Sequence, residues 1–347
     1  MHGSVSSRIA RSGGVLAIVA VSLVGCRGPG IIFEPPDPPL FWPPPPAQPR
    51  IHYVGAIATD ADLEPAVTFG QWLFGREPTR SMLSPFAVVT DDGSRLFVCD
   101  SNAQAVHVFD LEDRTYQQWR PDDGATPFAQ PVGLAFGGNG PMLAVADPMA
   151  GVISLFDADG VYKGVVGRGE VTRPCGLSFG PTGRLFVADA GTHEVVVFTP
   201  DGRVERRFGE RGSGPGQFNY PISVAVGATG QVYVSDSLNA RVQVFDPAMG
   251  FLLQIGSKGD GPGYFSQPKG LAVDRDEHLY VVDAHFELVQ VFDAEGQLLM
   301  SFGQEGHGPG EFWLPAGIHV DARNRIWVAD SYNRRVQVFD YRPEDDP

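Results

Sequence analysis

One short pattern, written six times at a nearly constant interval, constrains this chain more than any other feature. Its last copy is Ile326 to Asp340, IWVADSYNRRVQVFD. An apolar run with strand residues ends on an aspartate, a polar turn follows, and a second strand of mostly alternating pattern comes after it. The repeat aspartates are Asp100, Asp147, Asp189, Asp236, Asp283 and Asp330, at intervals of 47, 42, 47, 47 and 47 residues. A phenylalanine lies nine residues past each one: Phe109, Phe156, Phe198, Phe245, Phe292 and Phe339. A proline lies 15 residues before it, or 16 in the second copy: Pro85, Pro131, Pro174, Pro221, Pro268 and Pro315. A period of this size with four short strands per unit predicts the blade of an all-β propeller, not a helical solenoid. Six units predict six blades.

The sixth unit lacks an outer strand, because only Asp340 to Pro347 follow Phe339. An open blade would leave a bare sheet edge. Arg50 to Ile57, RIHYVGAI, reads as a strand, so N-terminal sequence is expected to close the ring. The propeller then spans 50–341, with a non-repeat insertion at 58–83 and a short acidic tail at 342–347. In the insertion, Asp62 is a fair N-cap, and Phe69, Trp72 and Leu73 share one helical face, so a short packed helix is expected, stopped near Gly75.

Residues 1–25 read as a targeting segment. Arg8 and Arg11 precede an apolar run, Val15 to Val24, too short to span a bilayer. It ends in Leu23-Val24-Gly25-Cys26, which resembles a bacterial lipobox. The resemblance implies lipid on Cys26 and stable membrane anchoring. Arg27 stands where an inner-membrane retention signal has aspartate, which implies an outer-membrane or periplasm-facing position in a diderm host. Residues 26–49 then form a tether. Ten prolines between Pro29 and Pro49 favour an extended polyproline conformation of roughly 70 Å, holding the domain off the membrane.

Without residues 1–25 the chain keeps 24 bases against 41 acids, a net charge of −17. That argues against nucleic acid as a partner, since phosphate binding needs concentrated positive charge. Cys99 and Cys175 lie in different, non-adjacent units and read as small buried thiols, with no disulfide framework.

Three further motifs recur at fixed offsets. They are the Pro-x-Gly-Leu-Ala-Val start at Pro268, the Val-x-Asp-Ser-x-Asn-x-Arg-Val-Gln-Val-Phe core at Val234, and the Gly-x-Gly-Pro-Gly-x-Phe loop at Gly212. Together they resemble the NHL-repeat family over nearly all of residues 84–340. Departures lie early: Ala87 replaces the usual glycine, units one and two lack the Gly-Pro-Gly loop, and Asp147 is followed by Pro148 and Met149. The resemblance implies a six-bladed propeller of NHL type. Some relatives, the amidating lyases, hold zinc with histidines at the central channel. Here only His319 lies on an inner strand, and zinc needs three or four convergent ligands, so no metal and no cofactor is expected. No catalytic set is placed by motif. The repeat aspartates are expected to cap the turn between the second and third strands.

Residues after the repeat prolines are expected to face the channel mouth: Phe86, Val132, Cys175, Ile222, Lys269 and Ala316. They describe an apolar funnel with one cation. Around it, Asn239, Arg241, Asn333, Arg334 and Arg335 form an expected basic, amide-rich rim, with Trp313 beside it. The expected function is a monomeric, lipid-anchored scaffold or receptor for an envelope protein, peptide or glycan. The alternative is a lyase- or lactonase-like propeller enzyme working in the channel.

Overall fold

The computed structural model describes residues 30–44, 46–64 and 79–342. The lipobox cysteine, the targeting segment, the insertion residues Phe69, Trp72, Leu73 and Gly75, and the tail beyond Arg342 lie outside them. The structure is a six-bladed propeller. Five blades are four-stranded antiparallel sheets and the last has five strands. Blade five shows the plan, with strands a to d at Pro268–Val273, Leu279–Asp283, Leu288–Phe292 and Leu298–Phe302. Among the described residues the only helical pieces are 3-10 turns, Asp60–Leu63 and Ser237–Asn239.

Strand a of each blade lines the central channel. In blades one, three, four and five the repeat proline opens the strand, where a missing N–H is tolerated, and the register slips just after it; in blades two and six the strand begins after the proline, at Gly133 and Ile318. Inner strands approach one another so closely that the repeat glycine has a steric cause. A Cβ on Gly133 would lie 1.9 Å from the Cys175 carbonyl oxygen, and one on Gly270 would lie 2.6 Å from that of Ala316.

The repeat phenylalanines are all buried, and they anchor six apolar clusters. One cluster fills each gap between neighbouring blades. A propeller has no single core, so each blade is held by the two gaps it faces.

Blade six is closed as the sequence suggests. Ile51–Ile57 pairs antiparallel with Arg335–Tyr341, from Ile51 opposite Tyr341 to Ile57 opposite Val336. Its alternating burial places Ile51, Tyr53 and Ile57 inward. The tether departs from expectation. Phe41–Trp42 adds a fifth strand against His52 and Ile51. Trp42 packs edge-on against Phe339 at 5.9 Å, and Phe33 packs against Trp327 at the same distance. Apolar residues among the prolines therefore dock the run on blade six, so it is not a free spacer. The insertion is also corrected in part. Asp62 is the third residue of the turn, and its carboxylate accepts from the Ala58 and Thr59 amides at 2.7 and 2.8 Å.

Candidate functional site at the channel mouth

The b–c turns and the loops entering each blade meet on one face. The repeat aspartate joins them. In blade five, Asp283 accepts from the amides of His285 and Phe286 in its own turn. It also accepts from Ser266 at 2.7 Å and Gln267 at 3.1 Å in the entering loop. The expected turn cap is present, but it is half of the arrangement. Blades one and two repeat it with Asp100 and Asp147. The residue four past every repeat aspartate is left-handed: Gln104, Gly151, His193, Ala240, Glu287 and Arg334. Three of these reach the next blade's loop. His193 Nδ1 accepts from the Tyr220 amide, Glu287 accepts from the Leu314 amide, and Gln104 donates to the Ala129 carbonyl.

The expected basic rim is corrected here. Arg241 is 5% exposed and does not project. It donates to Asp236 at 2.7 Å, to Gln254, and to the Gly214 and Gln217 carbonyls of the Gly-Pro-Gly loop. Arg335 does the same with Asp330, Gly308 and Glu311. Asn239 and Asn333 donate to Gly212 and Gly306 of the same loops. Gln243 and Gln337 complete each clamp. The reason is geometric: Asp236 lies directly opposite Arg241, and Asp330 opposite Arg335, across the b–c hairpin. Four of the expected rim residues are therefore loop struts. Arg334 is exposed, and Trp313 is 42% exposed beside His307 and Tyr332.

The mouth itself is a cavity of about 350 Å³. Phe86, Val132, Cys175, Ile222 and Lys269 all line it, and Ala316 lines the narrower channel below. Sequence reasoning missed seven more lining residues: Pro148, Ser237 and Leu238 in b–c turns, and Gln130, Arg173, Tyr220 and Gln267. Each of the last four directly precedes a repeat proline. That offset was readable, because residues on both sides of a proline at a strand's start border the same opening. Lys269 lies 5.8 Å over the Phe86 ring, and Arg173 lies 5.5 Å over Tyr220. Burial pushes the Lys269 ammonium below its ordinary value, partly opposed by the charge of Asp283. Burial pushes the Cys175 thiol up to about 12, which disfavours its thiolate form. Cys175 is only half-buried, unlike Cys99.

Deeper in, His319 is hydrogen-bonded to Thr90 Oγ1 at 3.0 Å, and burial lowers its pKa. Among the described residues, one set of possible metal ligands converges: Asp274, Asp276 and His278, in the a–b turn on the opposite face. Sequence reasoning had not grouped them. Both Asp274 oxygens are occupied by the turn, by the amides of Asp276 and His278, by His278 Nδ1 and by the Tyr280 hydroxyl.

The fold and its stapled turns define a six-bladed β-propeller. A sequence profile described as a 6-bladed beta-propeller matches residues 222–290, and one described as an NHL repeat matches residues 312–339. The NHL-repeat match falls on the last blade, and the propeller match on blades four and five. No curated protein matches the chain in sequence. Solved structures of similar fold include virginiamycin B lyase from Staphylococcus aureus, 16% identical with a TM-score of 0.56, covering 75% of this chain and 96% of that one. A gluconolactonase from Xanthomonas campestris is 18% identical with a TM-score of 0.57, covering 75% and 87%. An auxiliary nutrient binding protein from Bacteroides ovatus is 14% identical with a TM-score of 0.59, covering 76% and 70%. At these identities the likeness is one of fold.

Proposed function

We propose that this chain is an exported, lipid-anchored propeller that acts as a monomer and binds an envelope protein, peptide or glycan through the face carrying the channel mouth. One observation carries the reading: the mouth is an apolar-walled cavity with two cations and no acid among its lining residues, on a chain of net charge −15. The docked tether supports a particular posture. Arg114, in a c–d turn on the opposite face, donates to the Gly30 carbonyl at 2.8 Å. If Cys26 carries lipid, the four steps from Cys26 to Gly30 reach at most ~14 Å. The blade-one and blade-six rim would then sit close to the membrane and the mouth would open away from it. In the enzyme alternative Lys269, which burial lowers from its ordinary value, is the mouth group proposed for proton transfer.

Two measurements test the reading. Wild type should enter the detergent phase on phase separation, and Cys26→Ser should not; both staying aqueous removes the anchor. Capture from envelope extract should fall at least tenfold with Ile222→Trp, which fills the mouth, and stay unchanged with Arg203→Gln on the opposite face. Equal capture by all three proteins overturns the choice of face.

A further inference from the structure

The charges at the mouth identify what it is built to hold, given that the mouth is the binding face. Lys269 and Arg173 belong to blades five and three and line one cavity, with Ile222 and Tyr220 of blade four between them. Neither side chain makes a salt bridge or hydrogen bond among the described residues. Some cations elsewhere on this acidic chain find carboxylates, Lys163 with Asp157, Arg184 with Glu205 and Arg207 with Glu170, while others such as Lys258 and Arg334 are solvated without one. The nearest acids to the mouth are repeat aspartates, and these are occupied. Asp283 accepts four backbone amides, and Asp189 accepts from Thr172, Arg173 and Gly191. Both cations instead lie over aromatic rings, which leaves their N–H groups available to an anion.

The walls select among anions. Phe86, Val132 and Ile222 are apolar, and Leu238 stands at the edge with 62% of its surface exposed. A phosphate would bring a higher charge and three oxygens to a site with two cations and no cluster of free backbone amides. A carboxylate needs fewer donors, and the apolar walls need a hydrophobic body beside it. The cavity, about 350 Å³, lies at the small end for ligand sites. The side-chain amides of Gln130 and Gln267 flank the opening, where a peptide backbone would need donors and acceptors. Tyr220 is held in a left-handed conformation, φ 64, by the His193 bond to its amide. Leu314 takes the same conformation in blade six, so the strain belongs to the loop design. Its consequence in blade four is a ring fixed at the cavity wall beneath Arg173.

We propose that the channel mouth binds a carboxylate carried on a small apolar body, with Lys269 and Arg173 gripping the charge and Phe86, Val132, Ile222 and Tyr220 holding the body. A peptide C-terminus ending in an apolar or aromatic residue has this chemistry, and so does a free small organic acid.

The test is calorimetric titration of the full-length protein in detergent with acetyl-Ala-Ala-Phe, its C-terminal amide, 3-phenylpropionate and inorganic phosphate. The free-acid tripeptide should bind at least tenfold more tightly than its amide, because only the acid carries the charge. Lys269→Met and Arg173→Gln should each weaken it roughly tenfold. Lys269→Arg should retain binding, which separates loss of charge from loss of fold. Raising salt from 0.05 to 0.5 M should weaken the acid and leave the amide unchanged. If phenylpropionate matches the tripeptide, the source is a free small acid; if the tripeptide is at least tenfold tighter, it is a peptide end. Equal binding of acid and amide, tighter binding of phosphate, indifference to Lys269→Met and Arg173→Gln, or no binding of either acid overturns the proposal. Should Ile222→Trp abolish envelope capture while both acids fail to bind, the mouth remains the binding face and the ligand class is wrong.

Discussion

Two sets of cations on one face behave in opposite ways. Arg241 and Arg335 come from the repeat itself, at the position facing the repeat aspartate across the b–c hairpin. They are turned inward and tie the Gly-Pro-Gly loops to the blade. Arg173 and Lys269 flank repeat prolines, on either side in different blades, and lie in the mouth without a carboxylate. On this face the two cations that face the repeat aspartate are held by it, and the two beside the repeat prolines have no carboxylate partner. The amide pattern agrees, since Gln243, Gln290 and Gln337 occur only in the three blades whose entering loop carries Gly-Pro-Gly, and all three bond to that loop.

The largest effect that sharpens this contrast is at the edge of blade six. Blade four has its own outer strand, Phe251–Ile255, whereas the clamp of blade six leans on Ile51–Ile57. Deleting 1–58 removes, beyond the docked tether, three buried side chains, Ile51, Tyr53 and Ile57, worth about 6 kcal/mol more at ~2 kcal/mol each, and bares the edge of Arg335–Tyr341. Deleting 1–49 spares that strand but removes the docked Phe33, Leu40 and Trp42, with an expected loss of about 3 kcal/mol. Urea denaturation of the two truncations checks the order. Equal midpoints would show that the strand does not close the ring.

Next come the cations themselves. Arg241→Met or Arg335→Met leaves a buried aspartate without its charged partner, at a cost of roughly 3–5 kcal/mol. Lys269→Met and Arg173→Gln should move stability by no more than about 0.5 kcal/mol, since neither holds another group. Limited proteolysis should cut near Gly214 in Arg241→Met and near Gly308 in Arg335→Met. If the four substitutions have similar effects, the division into struts and free cations is wrong.

Much of this was legible in the chain. Aspartate, phenylalanine and proline at fixed offsets gave six blades, because each has one local job: stapling a turn, filling a gap, opening a strand. The missing outer strand and its replacement by residues 51–57 followed from counting. The struts were misplaced as a basic rim because the turn was read as a solvated loop. Yet Asp and Arg five apart across a tight hairpin are a facing pair, and that signal was present. The docked tether was hidden for another reason. Proline content speaks of backbone preference, while Phe33, Leu40 and Trp42 answer to apolar surface on blades six and one that a local reading cannot see. Arg173 and Tyr220 were missed because only the residue after each proline was followed to the mouth.

The smallest effect sets a titrating pair against the clamps. On the opposite face, His278 Nδ1 lies 2.9 Å from Asp274, in place of an arginine. The hydrogen bond to Asp274 raises the histidine above its ordinary value of 6.5, with burial opposing and the charges of Asp274, Asp276 and Asp293 assisting. A histidine raised on folding stabilises the native state fully below 6.5, and that contribution is lost as pH climbs through the folded value. The pair is partly solvated, so its contribution should stay below about 1 kcal/mol. Arginine does not titrate in this range, whereas burial raises Asp330 and Arg335 opposes that rise, so the loss in Arg335→Met should be at least as large at pH 8 as at pH 6, the opposite trend from the histidine pair. His52 and His319 are both lowered by burial and act in the opposite sense, so wild type alone cannot isolate the effect. The comparison is therefore wild type against His278→Gln by urea denaturation at both pH values. Wild type should be the more stable at pH 6, and the gap should close by pH 8. A gap that stays constant, or widens with pH, would show that His278 is held neutral and that the pair is a plain hydrogen bond.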